Sequence, residues 1–236
     1  MKALVFAAGL GERMRPLTDH TPKPLLRAGG KTLMEWHLER LAAVGVDEVV
    51  VNTAWLAEQF PATLGDGSRW GLRLTYSYEG ATALETGGGM LKALASLGDE
   101  PFIAVNGDIW CDFDFSRLPA AASHDAHLVM VDNPVQHPQG DFALDAAGLV
   151  HANGAQRLTF SGIGLYRARI LSGWRDIIGD MPDTRRDPPR FKLAPLLIAA
   201  MAQGRVSGEH HRGRWTDVGT PQRLQQLDIE LGENQR

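Results

Sequence analysis

One cysteine in 236 residues, Cys111, leaves no room for an intrachain disulfide or a cysteine-rich metal centre, and is compatible with a reducing compartment. No stretch reaches the ~18 apolar residues that would read as a membrane span. The first residues carry no run of the signal-peptide type, so the expectation is a cytoplasmic protein without a membrane partner. The 24 Lys and Arg do not outnumber the 28 Asp and Glu, and a formal charge of −4 argues against nucleic acid as a partner. The run GxxxxGK[ST] is absent, which excludes a P-loop NTPase. A dinucleotide fingerprint is incomplete, because position 14 is Met where a third glycine belongs. Ser161 lacks a GxSxG context, so a serine hydrolase is rejected. The adjacent His210 and His211 are poorly spaced for two ligands, and no zinc site is expected. No internal repeat and no long linker interrupts the chain, which is long enough to bury one α/β core.

What is present alternates. Leu4 to Ala8 reads as a buried first strand, and residues 32–44 carry Leu33, Trp36, Leu41 and Val44 at helical spacing, stopped by Gly45. Strands are predicted at 46–51, 72–76, 101–105 and 126–131, with helices at 54–64 and about 90–97 between them. Short connections between such elements predict a Rossmann-like, doubly wound, mostly parallel (mixed) sheet. The second half is less regular, with short strands at 142–144, 149–150, 158–166, 205–209 and 214–216. Residues 179–190, polar and proline-rich, read as a mobile surface loop. A helix over 191–203 must start late or kink at Pro195. Thr220 as N-cap and Pro221 at the first helical position open the last helix.

The segment GLGERMRPLTDHTPKP, residues 9–24, organises the rest. Gly9 and Gly11 let the backbone turn and present N–H groups without a side chain in the way. Arg13, Arg15 and Lys23 add cations, and Pro16, Pro22 and Pro24 oppose a helix. A stiff, cationic, glycine-containing loop just past a strand suits a polyphosphate. Asp108 in VNGD and Asp217 in WTDVG lie far apart in sequence, yet both follow predicted strands. Two carboxylates are what a protein commonly offers Mg²⁺, whereas either alone also reads as a turn aspartate. Glu85-Thr86-Gly87-Gly88-Gly89 is a second glycine run, either a surface for a flat ligand or a loosely packed lead into a helix. Gly140-Asp141 and Ser161-Gly162 are further places where backbone can approach a ligand. Lys192, in FKLAPLL, is either a cation beside an anion or a lysine stretching out from an apolar surface.

GLGERMRPLTDHTPKPLL closely resembles the GxGxRxxPLT…PKP signature of the sugar-1-phosphate nucleotidyltransferases, and VNGD and WTDVGTP resemble that family's two metal-carrying segments in the right order. The likeness covers nearly the whole chain. It implies one nucleotidyltransferase domain over 1–236, with a nucleotide-binding half at 1–134 and a sugar-phosphate-binding half at 135–236. It implies Mg²⁺ as cofactor, UTP or another nucleoside triphosphate and a sugar 1-phosphate as partners, and a monomer or small homo-oligomer. Residue by residue, Ala8, Gly9, Gly11 and Glu12 resemble the nucleotide loop, Arg13 the contact to leaving pyrophosphate, and Lys23 the cation beside the reacting phosphates. Glu85, Gly87, Gly88 and Asn106 resemble further nucleotide contacts, with Gly87 and Gly88 as base-binding backbone. Asp108 and Asp217 resemble the Mg²⁺ ligands, with Arg13, Lys23 and Asp108 forming the catalytic set. Gly140, Gly162 and Lys192 resemble the sugar-phosphate side. One departure stands out: many relatives carry Glu-Lys-Pro before the sugar loop, where this chain reads ANGAQRLTF at 152–160. Loss of that glutamate suits a sugar bearing its own carboxylate, because like charges repel. Lys192 would then replace the lost lysine. Two alternatives stay open: a mannose-1-phosphate guanylyltransferase, and a non-catalytic nucleotide- or sugar-phosphate-sensing domain.

Overall fold

The computed structural model describes residues 1–119 and 123–233. The described chain divides into two compact units. One comprises residues 1–83, 105–115 and the chain from 214 onward; the other comprises 84–104 and 116–213. The division is therefore not a single cut near 134. The chain enters and leaves each unit more than once, because its two acid-bearing segments return to the unit of the first strand.

The first unit starts with β1 (Lys2–Phe6), whose centre is buried. After the 9–24 loop come two short antiparallel strands, β2 (Arg27–Ala28) and β3 (Lys31–Thr32). They lead into α1 (Leu33–Ala43). Thr32 caps α1 with a full capping box, its hydroxyl accepting from the Glu35 amide while the Glu35 carboxylate accepts from the Thr32 amide. Next come β4 (Glu48–Thr53), buried throughout, α2 (Gln59–Leu64) and β5 (Arg73–Tyr78). β4 pairs in parallel with both β1 and β5. A strand flanked in parallel on both sides buries both faces, which accounts for the uninterrupted apolar run at Val49–Val51. α2 is shorter than the 54–64 expectation, beginning only at Gln59.

The chain crosses to the second unit for α3 (Glu85–Leu97). The glycine run is not a loop before this helix, as expected, but its first turn. β6 (Phe102–Asn106) carries the chain back. β7 (Ile109–Cys111), a strand the sequence did not announce, follows in the first unit. The second unit resumes with β8 (Ala126–Val131), β9 (Phe142–Leu144), β10 (Val150–His151) and β11 (Arg157–Tyr166). It continues with the short α4 (Trp174–Ile178), α5 (Ala194–Met201) and β12 (Val206–His211). Pro195 sits in the first turn of α5, so the helix does start late. β8 pairs antiparallel with β11 and parallel with β12, making this part of the sheet mixed. Asp125, fully buried at the entry to β8, is ion-paired to Arg169 and Arg205 and so ties three segments of this unit together.

The last crossing brings β13 (Trp215–Asp217) and α6 (Pro221–Glu233) into the first unit. β13 pairs antiparallel with β7. Leu227 and Leu231 of α6 pack with Met14, Leu33 and Trp110 in one buried cluster. Gly29 sits under Leu231 with φ +61, where an added Cβ would lie 2.6 Å from the Leu231 Cβ.

Candidate active site

The loop after β1 is held from below. The Ala7 amide donates to Asn52 Oδ1 at 2.7 Å, and Asn52 Nδ2 donates to the buried Glu79 at 2.5 Å. Thr18 is buried and donates its hydroxyl to the Gly11 carbonyl at 2.9 Å, while the Trp55 indole N–H donates to the Thr18 carbonyl. Gly11 has φ +65, and a Cβ there would come within 2.9 Å of Thr18 Cγ2 and 3.3 Å of Lys23 Cβ. Glycine is required twice over, by conformation and by space. Gly9 has the opposite reason to be glycine: nothing lies within 4 Å of a Cβ built there. Ala8 is buried, whereas Gly9, Glu12 and Arg13 are exposed.

The Gly11 and Glu12 carbonyls accept from the Met14 and Arg15 amides, whereas the amides at the start of the loop have no such partner. Among the described residues, nothing accepts from the amides of Gly9, Leu10, Gly11 or Glu12. Gly11 is left-handed and opens the 3-10 turn Glu12–Met14. A left-handed residue followed by right-handed turn residues is the backbone pattern whose unengaged N–H groups carry partial positive charge and suit an anion. Arg13 forms no ion pair with a described residue.

Lys23 closes the loop. It lies in the 3-10 turn Lys23–Leu25, and its side chain is only 9% exposed. Its Nζ stands 2.6 Å from Asp108 Oδ2. The close approach depends on Gly107, whose amide donates to the Phe6 carbonyl at 2.9 Å and whose missing Cβ would meet that carbonyl at 2.9 Å and Pro24 at 3.3 Å. Asn106, half-buried, ends β6 beside this turn. Asp217 is brought in by the β7–β13 pairing. It lies opposite Ile109, and the Val218 amide donates to the Asp108 carbonyl at 2.9 Å. Thus the amino-terminal loop, Lys23, Asp108 and Asp217 converge in one unit, although the two aspartates are far apart in the chain.

Two supports of this cluster had no conspicuous sequence signal. His37 of α1 is buried, and its Nε2 hydrogen-bonds the Ile109 carbonyl at 2.9 Å, next to Asp108. Burial, with a smaller push from Arg40, lowers its pKa from 6.5 to about 4, so the ring is neutral and Nε2–H is the donor. Arg223, in the first turn of α6, donates from Nη1 to Asp217 Oδ1 at 2.6 Å.

The remaining expected residues belong to the second unit. Glu85 opens α3 with φ +63 and is bound by Arg190 at 2.7 Å. The amides of Gly87 and Gly88 both donate to the Phe191 carbonyl, at 2.9 and 3.0 Å. Each of these two amides therefore has its acceptor within the chain. The reason they are glycines is packing. A Cβ on Gly87 would stand 2.5 Å from the Phe191 ring, and one on Gly88 would stand 2.4 Å from the Pro189 carbonyl oxygen. Phe191 is in turn stacked on Trp174, 4.5 Å between centroids. Within segment 179–190 Arg190 pairs with Asp183 and Arg185 with Asp180, and Arg190 also reaches Glu85, which fastens the end of the segment to α3.

Gly140 has φ +61 and lies against the backbone of Arg157 and Leu158. Asp141 accepts from the Phe160 amide at 2.8 Å, and β11 bulges between Phe160 and Ile163, where Gly162 has φ +85. The two glycine sites on the expected sugar side therefore adjoin the same strand. Arg157, in the segment that lacks Glu-Lys-Pro, donates its Nε to the Asp141 carbonyl at 3.1 Å. Lys192 is exposed between the buried Phe191 and Leu193 and pairs with no described carboxylate. No helix among the described residues is long and apolar enough to cross a membrane.

Residues 2–157 match the profile of the family described as Nucleotidyl transferase. The chain is 48% identical to N-acetylmuramate alpha-1-phosphate uridylyltransferase of Neisseria meningitidis serogroup B, over 98% of this chain and 99% of that one. It is 36% identical to the protein of the same name from Caulobacter vibrioides, over 98% and 97%. Among solved structures, a Bacillus anthracis chain described as a candidate glucose-1-phosphate thymidylyltransferase superposes with a TM-score of 0.80 at 18% identity, covering 99% of this chain and 96% of that one. At that identity the likeness speaks to the fold, which is the mixed, largely parallel Rossmann-like sheet expected from the sequence.

Proposed function

The chain belongs to the nucleotidyl transferase family, and from that premise we propose that it converts UTP and N-acetylmuramate α-1-phosphate into UDP-N-acetylmuramate and pyrophosphate. The near full-length relatives of that name support the choice of substrates. The observation that carries the chemistry is the meeting of Lys23 with Asp108 at 2.6 Å, in the same unit as four loop amides with no acceptor among the described residues.

An oxygen of the sugar phosphate attacks the α-phosphorus of UTP. A new P–O bond forms, the bond from the α-phosphorus to the bridging oxygen breaks, and its electron pair leaves with pyrophosphate. The nucleophile is already anionic at neutral pH, so no general base is needed. The protein's task is to hold two anions in line and neutralise their repulsion. The amides of Gly9 to Glu12 cradle the triphosphate, exposed Arg13 meets the departing pyrophosphate, and Lys23 lies against the reacting phosphates. Asp108 and Asp217 are hard oxygen donors, which fits Mg²⁺. When bound, Mg²⁺ supplies Lewis-acid polarisation of the phosphates. Ala8 and Asn106 line the same loop and turn. Glu85 and the Gly87–Gly88 backbone are the candidate base contacts, with the packing of both glycines against residues 189–191 fixing that backbone in place.

On the sugar side, Gly140 and Gly162 offer backbone close to β11, and the unpaired Lys192 is available for an anion of the sugar phosphate. The lactyl carboxylate of muramic acid explains why no glutamate is retained at 152–160. The deciding experiment measures pyrophosphate release over four nucleoside triphosphates and the 1-phosphates of N-acetylmuramate, N-acetylglucosamine, glucose and mannose, with and without Mg²⁺. UTP with the muramate phosphate should lead, and only with Mg²⁺. Equal turnover of all sugars, or a preference for GTP with mannose 1-phosphate, would overturn the assignment.

A further inference from the structure

Both carboxylates expected to hold the divalent cation already carry a cation from the chain itself. Lys23 takes Asp108 Oδ2 at 2.6 Å, and Arg223 takes Asp217 Oδ1 at 2.6 Å. The second pair is built in. Arg223 is fixed in the first turn of α6, its amide donating to Thr220 Oγ1 at 3.3 Å. Gly219 leaves the space it occupies: a Cβ there would stand 2.1 Å from Arg223 Nη2 and 2.9 Å from Asp217 Oδ2. Neither pair is a loose surface contact, since the Lys23 side chain is 9% exposed and that of Arg223 22%. Each charge-assisted bond takes one oxygen of its carboxylate, Asp108 Oδ2 or Asp217 Oδ1, and sets a fixed positive charge beside the oxygen that is left for a metal. Two negative charges set against two positive ones also leave little field to draw in a divalent ion.

We propose that Arg223 is a positioning residue that pins Asp217, and that together with Lys23 it keeps the nucleotide-free protein closed to the divalent cation, which enters only with the triphosphate. This rests on the nucleotidyltransferase reading only in naming the triphosphate as the trigger. The polyphosphate competes with Asp108 for Lys23. Its arrival frees Asp108 and supplies the negative charge that the cation requires. Arg223 stays on Asp217 throughout and fixes the direction in which that carboxylate faces.

The test uses the full chain and Mn²⁺ as a paramagnetic probe, titrated without nucleotide, with UTP, and with UTP plus excess EDTA as a blank. Wild type should show no saturable Mn²⁺ binding below millimolar concentration until UTP is added. Lys23→Ala and Arg223→Gln should each bind Mn²⁺ without nucleotide at least about tenfold more tightly than wild type, as removal of an adjacent like charge predicts. Arg223→Lys should restore the wild-type behaviour. A role confined to holding the fold would not raise metal affinity. Tight Mn²⁺ binding by nucleotide-free wild type would overturn the proposal, as would unchanged or weaker binding in Arg223→Gln. If Arg223→Gln does not fold, Arg223→Met, which keeps the aliphatic stem and removes the charge, is titrated in its place and must show the same tightening. Pyrophosphate release by wild type is measured separately, so failure of the reaction assignment is distinguishable from failure of this one.

Discussion

Two glycine runs in this chain look alike as sequence and do opposite work. In the first unit, residues 9–12 keep four consecutive amides without an acceptor among the described residues, and the Cβ position of Gly9 faces open space. In the second unit, the amides of Gly87 and Gly88 converge on one carbonyl, and both Cβ positions are filled by the segment 189–191. The first run uses glycine to leave donors available; the second uses it to admit a neighbouring backbone. The difference lies in what flanks them. The first segment runs only through short 3-10 turns, and the amides of residues 9–12 come before the first of them, where no preceding carbonyl of a helix or strand accepts them. The second run continues into α3, whose first-turn amides need acceptors, and Phe191 supplies one.

The comparison would break most visibly at Lys23. If the first loop is the reacting centre, Lys23→Ala should lower kcat about 10²–10³-fold, the range seen when one preorganised stabilising group is removed. Melting temperature should change little, because Asp108 is 42% exposed and can be hydrated once its partner is gone. Near wild-type turnover would move the chemistry elsewhere.

The next effect concerns what supports that centre. The folded-state pKa of His37, about 4, lies below its ordinary 6.5. As pH falls, the unfolded chain binds the proton first. The contribution of neutral His37 is therefore complete above pH 6.5 and is lost as pH falls from 6.5 towards 4, by about 3 kcal/mol in all. Urea denaturation at a series of pH values should show this slope in wild type and a flatter one in His37→Gln, which keeps a donor for the Ile109 carbonyl. Parallel slopes would remove His37 from the account.

Much of the first unit was legible. The 9–24 loop, the helix over 32–44 and the strand over 46–51 each carry local signals, and the structure keeps an element at each place. The convergence of Asp108 and Asp217 was legible only as a pairing of likenesses. What brings them together is β7 against β13, and Ile109–Cys111 is too short to show a period. Arg223 and His37 were not legible as supports, because each acts through a partner remote in sequence or on the next turn. The second glycine run was misread for a physical reason. Glycine lowers helix propensity, so its place inside the first turn of α3 is dictated by tertiary packing against Phe191 and Pro189, which no local pattern contains.

The sharpest form of the contrast is a pair of identical substitutions. In Gly88→Ala the new methyl meets the Pro189 carbonyl oxygen at 2.4 Å, a backbone atom that cannot swing aside. Overpacking of this kind costs about 1–3 kcal/mol, so the melting temperature should fall by several degrees, roughly 2–4 °C per kcal/mol for a chain of this size. Nucleotide affinity, measured where the protein is still folded, should follow stability. Gly9→Ala places the same methyl where nothing stands within 4 Å. Its melting temperature should stay within the spread of ordinary surface substitutions, about 0.5 kcal/mol either way. Its cost should appear instead as weaker UTP binding, because the methyl narrows the approach to the open amides. If Gly9→Ala lost stability and Gly88→Ala lost only affinity, the roles assigned to the two runs would have to be exchanged.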